Sequence, residues 1–386
     1  MSDLERGIEL EKKSRFLNLD ATRMIVALGI VAWHTRAGYR SESIHPMNLH
    51  YFGVDFFFLL SGFVLSNQIV KVREGFDRKT LTLKFLWSRF ARLWPNALTI
   101  LVFSLLFESA IFAYQHLATG NSFDPAFSST PIWAWPLALG FGQLAFWQAW
   151  MWYGPLWSIA AIWWATVVTV ALPTPKKIRP EIFLLGLGVL IQIICIYRNG
   201  QSIAHGQMFY GFTGLCRALV GINLGLILRR QLDARNYRLN QFVLVVLSAV
   251  SFSVALVVDQ KFHERAVLIS GFLWVPIVLL LVAVKGPDEQ KPVGRLFLAM
   301  GKYSFPIFIW HVLIIHIIKN FASLLPTKIG SLIESFQVQY VLVVAISLVL
   351  SIVSTNTIEP WIRKYLVASG EKHLKFLAPT SDSKLV

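Results

Sequence analysis

The chain has 386 residues, 55% of them hydrophobic and only 15% charged, with a mean hydropathy of +0.57. A soluble domain carries about a quarter charged residues. Apolar runs of 17 to 23 residues recur along the whole length and are continuous rather than alternating, which excludes a soluble globular fold and a transmembrane barrel and points to an all-α, polytopic membrane helix bundle.

Residues 1–18 are charged, and no small-residue cleavage site follows the first apolar run, so no cleavable signal peptide is expected. Ten spans follow, at roughly 19–37, 50–70, 96–116, 154–172, 181–197, 208–228, 240–259, 266–284, 302–319 and 338–358. With residues 1–18 in the cytoplasm, and with Arg36, Lys302 and Lys319 at span ends counted on the side they border, the cytoplasmic segments hold 27 Lys and Arg and the outer ones seven; Arg23 and Arg217 lie within spans. The positive-inside rule then places both termini in the cytoplasm. The net charge of +15 is therefore topological, and nothing suggests nucleic-acid recognition. Cys195 and Cys216 fall in or near spans, implying neither a disulfide framework nor a zinc site. No internal repeat stands out.

The first span, "LDATRMIVALGIVAWHTR", carries two ionisable residues, Arg23 and His34, eleven positions apart. At about 100° per residue that is three turns plus roughly 20°, so both project from one face, about 16 Å apart along the axis. Singly, Arg23 reads as a snorkelling cation and His34 as a packing residue. Together they suggest a channel with an anion anchor at its mouth and a titratable group at depth. An arginine suits a phosphate, and a neutral imidazole suits a general base. The separation resembles the reach of the pantetheine arm of coenzyme A.

In the second span, "FGVDFFFLLSG" holds Asp55 as its one acid. An unpaired Asp at a helix centre costs about 3 kcal/mol, so Asp55 requires a bundle partner, for which a histidine or arginine of the first helix is a candidate. It serves either as a polar clamp or as a group tuning His34, and stands among the catalytic candidates on the second count. Ser61 and Gly62 read as close-packing residues. Residues 71–94 carry seven basic residues, which positive-inside topology and headgroup contact largely explain. Arg89 and Arg92, three apart, are neighbours on a helix surface and make a candidate phosphate clamp.

Between the third and fourth spans lie Trp133, Trp135, Trp147, Trp150, Trp152 and Trp157. An interfacial aromatic belt accounts for part of this run, and a platform for stacking sugar rings is the functional alternative. Gly140, Gly142 and flanking prolines make a re-entrant or surface helix the expectation there. Arg217 reads as a buried ion-pair partner or as part of a donor channel. In the ninth span, His311 and His316 are five apart, about 140° round the helix, which argues against a two-histidine metal site. Glu359 precedes Pro360 at a helix end and suits either a basic partner or a ligand.

The elements "LDATRMIVALGIVAWH", "YFGVDFFFLLSGFVLS", "FLWSRFARLWP", "YGPLWSIAAIWWA", "GKYSFPIFIWH" and "IEPWIRK" occur in this order over almost the whole chain. In that arrangement the chain resembles the integral-membrane acyltransferase family 3, the group of O-antigen, exopolysaccharide and nodulation-factor acyltransferases. The resemblance implies a membrane acyltransferase domain over 19–366, between a cytoplasmic segment at 1–18 and a tail at 367–386. It implies transfer of an acyl group, most often acetyl, from cytoplasmic acyl-CoA to a carbohydrate hydroxyl, without a permanently bound cofactor, in a bacterial inner membrane. By motif, Arg23 and His34 match the family's Arg–His pair, whose histidine is regarded as catalytic, and Arg89 and Arg92 match its basic motif. Trp157 and Ser158 match its "PLWS" element, His311 its Trp-His and Glu359 its Glu-Pro, as acceptor-binding or supporting residues. Ile162 stands where a glutamate is expected. A transporter using the same intramembrane polar residues, or a catalytically silent relative, are the alternatives.

Overall fold

The computed structural model describes residues 16–36, 50–75, 77–119, 138–142, 155–172, 179–199, 210–234, 240–262 and 267–375. The described residues form helices and no strand. In chain order these are α1 (Leu17–Arg36), α2 (His50–Glu74), α3 (Arg78–Thr119), α4 (Leu156–Ala171), α5 (Pro180–Asn199), α6 (Tyr210–Ala234), α7 (Gln241–Phe262), α8 (Val267–Ala283), α9 (Pro292–Ser323), α10 (Thr327–Glu334), α11 (Phe336–Val353) and α12 (Glu359–Lys375). A π-helical turn, Ser354–Ile358, joins the last two into one rod.

Each of the ten apolar segments carries one of these helices, α1 to α9 and α11. Among the described residues, six helices are long and apolar enough to cross a membrane: α2, α3, α5, α7, α9 and the α11–α12 rod. Helices α1 and α6 are polar for a physical reason. They lie inside the bundle, with Ile25 the one large apolar side chain of α1 that is exposed and none among the described side chains of α6. A helix enclosed by protein needs no lipid-compatible surface. The gradient is steep: 67% of α2's apolar window and 61% of α9's is buried, against 17% of α7's and 22% of the α11–α12 rod's.

Contacts along the helices fix their directions. Phe16 meets Phe63 at 5.8 Å between ring centroids, while Gly53 faces Ile30 and Val26, so α1 and α2 are antiparallel. The chain turns from α2 into α3 within residues 75–77, so the beginnings of α1 and α3 share one end of the bundle, here the proximal end. Helix α9 runs parallel to α1, with Gly301 against Asp20 and His311 against His34.

The most extensive helix pair is α2 with α6. It depends on glycine: a Cβ on Gly62 would run into the Ile222 carbonyl, and one on Gly225 into the Leu59 carbonyl. Lipid tails supply no hydrophobic drive for helix association, so close backbone approach of this kind is what binds membrane helices. At the proximal end, Arg73 and Arg78 donate to the last carbonyls of α4 (Thr169, Val170, Ala171 and Leu172), and buried Glu181 bridges Arg73 and Arg230. Two of the basic residues expected to serve topology or headgroups are thus also helix caps.

Of the tryptophan-rich segment, residues 138–142 and Trp157 are described, and Trp133, Trp135, Trp147, Trp150 and Trp152 lie outside the described residues. Phe141 takes a positive φ of 58° and is fully buried against Phe90 and Trp163. The carbonyls of Leu139 and Phe141 accept from Trp94 Nε1 at 2.9 Å and Trp164 Nε1 at 2.8 Å. This piece therefore enters the bundle beside mid-helix residues of α3 and α4, where irregular backbone is tolerated because protein groups satisfy it.

Replacing Gly62 or Gly225 by leucine is expected to cost about 3 kcal/mol or more through overpacking against backbone. Unfolding temperature of the detergent-solubilised protein measures this. Gly186, which has nothing within 4 Å of an added Cβ, serves as the control, and Gly186→Ala should leave that temperature unchanged or raised.

Candidate active site

His34 is the eighteenth residue of α1, and His311 reaches it from α9. Their rings meet edge to face, with centroids 4.8 Å apart, and His34 Nδ1 stands 3.2 Å from His311 Nε2. The protons on both rings follow from their other partners. His311 Nδ1 lies 2.6 Å from the Phe308 carbonyl and His34 Nδ1 lies 3.0 Å from the Ile30 carbonyl. A carbonyl only accepts, so both Nδ1 atoms carry hydrogen. His311 Nε2 then holds a lone pair and accepts from His34 Nδ1–H, which it shares with Ile30. By elimination the lone pair of neutral His34 is on Nε2. His311 is fully buried whereas His34 retains partial exposure. The arrangement is a base whose orientation and tautomer are held by a second, inaccessible imidazole. No cluster of three or more metal-ligating side chains exists among the described residues.

Arg23 lies on the same face, three turns toward the proximal end. Asp20, one turn earlier, contacts it at 3.4 Å and packs against Gly301 of α9. Half-buried Arg89 and exposed Arg92 stand on α3 at that same end. Glu359, at the start of α12, accepts from Asn96 Nδ2 at 3.1 Å, and Trp87 Nε1 donates to the Leu366 carbonyl at 2.8 Å. Glu359 thus fastens α12 to the helix that carries the two arginines.

Asp55 is not beside His34. Because Phe63 pairs with Phe16 and Gly53 with Val26 and Ile30, Asp55 lies level with Met24–Val26, about 13 Å along the axis from His34 at 1.5 Å per residue. Its partner is on α6 rather than on the first helix. Arg217 Nε donates to Asp55 Oδ1 at 3.1 Å, Arg217 NH2 lies 3.1 Å from the same oxygen, and Ser270 of α8 donates to Oδ2. Trp157 stacks over the Arg217 guanidinium, 5.6 Å from ring to Cζ, with Phe58 on it at 6.0 Å. Asp55 is therefore the centre of a clamp joining α2, α6 and α8. Trp157 of the "PLWS" element covers that clamp, and buried Ser158 donates to the Pro155 carbonyl at 2.7 Å, closing the first turn of α4. Ile162 packs in the apolar core. His316 is exposed and turned from the pair, as its spacing predicts.

The chain matches the acyltransferase domain family (acyltransferase 3) over residues 16–356, close to nine-tenths of its length. It belongs to that family. The matched region closes just before Glu359. Proteins of Staphylococcus aureus strains COL, MSSA476 and MRSA252 that carry the provisional name O-acetyltransferase are each 23% identical over 341 residues. The alignment covers 82% of this chain and 53% of theirs, so the chain spans about half the length of the curated relatives it matches. No solved structure matches it.

Asp55→Ala leaves Arg217 buried without its counter-charge, which is expected to destabilise the protein by about 3–5 kcal/mol. Arg217→Met in the same chain should recover most of that loss. Thermal unfolding of the two single variants and the double variant measures the coupling, and additive losses would show that the pair is not a unit.

Proposed function

We propose that this chain is a membrane O-acyltransferase that moves an acyl group, most simply acetyl, from cytoplasmic acyl-CoA to a hydroxyl of a cell-surface or exported carbohydrate. The observation that carries the reading is the His34–His311 pair, set at depth on the helix face that begins at Arg23. Membership of the acyltransferase family and relatives named as O-acetyltransferases support the same chemistry. Ten spans with both termini in the cytoplasm of a bacterial inner membrane are part of the proposal. So are the segments 1–18, 19–366 and 367–386.

In this reading the proximal end is cytoplasmic. Arg23, Arg89 and Arg92 hold the phosphates of the donor, and the pantetheine arm carries the thioester about 16 Å inward. His34 Nε2 takes the proton of the acceptor hydroxyl while its oxygen bonds the thioester carbonyl. The C–S bond breaks, the proton passes from His34 to the sulfur, and free CoA leaves as the thiol. His311 accepts from His34 Nδ1–H throughout, which holds the ring and stabilises the imidazolium that forms. The alternative in which His34 Nε2 itself carries the acyl group uses the same tautomer. The acceptor arrives from the distal end, over the aromatic segment that continues into Trp157 and Ser158.

Acetyl-CoA should bind the purified protein saturably by calorimetry, and Arg23→Ala should weaken it about tenfold or more, the loss of a charged hydrogen bond. His34→Ala should leave that binding within about twofold while lowering transfer to cellular carbohydrate at least about a hundredfold. His311→Leu should lower the rate about as much with unchanged donor KM. If acetyl-CoA and CoA both fail to bind well-folded protein, the donor assignment is wrong and a CoA-independent transporter becomes the better reading.

A further inference from the structure

Helix α11 lies at the edge of the bundle with its composition inverted. Val341, Ile346, Val349, Ile352 and Val353 face outward and are exposed, while Gln339, Ser347 and Ser351 are buried, with Val343, in a helix that packs on α9 and α1, and Ser354 is buried in the π-helical turn, which packs on α9 and α3. Two of these buried hydroxyls bond back to their own helix: Ser351 donates to the Ser347 carbonyl at 2.6 Å and Ser354 to the Ser351 carbonyl at 3.3 Å. Thr99, Ser104 and Thr166 elsewhere in the bundle do the same. Ser347 Oγ and Thr355 Oγ1 do not. Both atoms are buried without a hydrogen-bond partner among the described residues, as are both polar atoms of the Gln339 amide. Ser347 as a whole has no exposed surface. Close helix packing by small residues explains the two satisfied serines and leaves these groups unexplained.

Their place in the fold is specific. Helices α9 and α11 form an antiparallel hairpin through α10. Lys302 Nζ donates to Asn356 Oδ1 at 2.7 Å, Asn356 Nδ2 donates to Tyr303 Oη at 3.4 Å, and Gly330 packs on Ala322 at the turn. That register sets Thr355 level with Ser304 at the proximal end and Ser347 level with His311. The eight steps from Ser347 to Thr355 cover about 12 Å, along the stretch of α9 that runs from His311, the partner of His34, back toward the proximal end. The stripe also borders α1, where Tyr340 Oη donates to the Leu28 carbonyl at 3.5 Å. A π-helical turn, a form that concentrates at functional sites, brings Ser354 and Thr355 to the proximal end of that stretch.

We infer that the inner face of α11 is the wall of the donor path, with Thr355 and Ser347 hydrogen-bonding the amide-bearing arm of the acyl donor between its phosphates and its thioester. The inference rests on the acyl-CoA reading and adds specificity to it. A pantetheine arm carries two amides and a hydroxyl, and in a water-poor bundle each needs a protein partner. The two hydroxyls supply such partners at both ends of the path.

The test compares CoA with adenosine 3′,5′-bisphosphate, a nucleotide fragment that lacks the arm, each followed by competition with labelled CoA. Ser347→Ala and Thr355→Val should each weaken CoA about fivefold, one hydrogen bond apiece, and leave the bisphosphate unchanged. Lipid-facing Val349→Ala should alter neither. Unchanged CoA affinity in both variants overturns the inference, and so does an equal loss for CoA and bisphosphate, which marks a structural role. Wild-type protein that binds no CoA at all defeats the donor reading itself, an outcome distinct from either.

Discussion

Charge buried where water is scarce governs this bundle. A bilayer core offers no solvent to an ionised or polar group, so each one must find its partner within the protein or settle at the edge. The Asp55–Arg217 pair is one instance, a carboxylate and a guanidinium with almost no exposure, drawn from α2 and α6 and completed by Ser270 of α8. Glu181 does the same at the proximal end for Arg73 and Arg230, and Asn18 donates to the Leu281 and Val284 carbonyls at 3.1 Å and 2.8 Å to close α8. These bonds join elements far apart in sequence. The apolar surface of the helices keeps them in lipid without determining which helix touches which, and the polar partners and glycine contacts make that choice.

The same constraint shapes the histidine pair. An imidazole in a dry bundle must have its N–H satisfied, and the backbone carbonyl one turn earlier does so for both rings. Once both Nδ1 protons are committed, a single arrangement of the remaining nitrogens is left, and it aligns the two rings with one acceptor and one donor. Orientation of His34 therefore requires no acid. This bears on Ile162, which occupies the place where the family resemblance leads one to expect a glutamate and which packs in the core. On the proposed mechanism any proton-handling or acceptor-orienting role of that acid is absent here or served by another residue, and His311 alone suffices to orient His34.

Much of this was legible in the sequence. Continuous apolar runs gave the all-helical class and placed the helices, and the eleven-residue spacing set Arg23 and His34 on one face. Asp55 was legible as a residue that needs a partner, but the partner was not. Arg217 lies 162 residues away on a helix that meets α2 through glycines, and a single sequence carries no signal for that contact. His311 stood out only by motif, and its contact with His34 depends on the crossing of α1 and α9, which periodicity within either helix cannot show. Arg73 and Arg78 illustrate a different difficulty: a basic residue near a membrane surface satisfies the charge rule whether it faces headgroups or caps a neighbouring helix. The polar face of α11 escaped notice because serines spaced along a helix read as packing, and only burial without a partner separates them from it.

Helix α1 carries three demands that compete. It must cross or line a bilayer, hold a cation near one end, and present a base near the other. Its low apolarity would make it a poor membrane span alone, and enclosure by α2, α8, α9 and α11 resolves the conflict. The enclosure has a further effect on the proposed chemistry. A rigid helix, packed on most sides, fixes the distance between Arg23 and His34 at about 16 Å along the axis, so on the proposed mechanism a donor arm is selected by length as well as by its groups. A shorter acyl donor anchored at Arg23 would leave its carbonyl short of His34, and a donor without phosphates would lack the anchor. On the proposed mechanism the acyl group alone passes to the distal side, because the rest of the donor stays tethered where it entered.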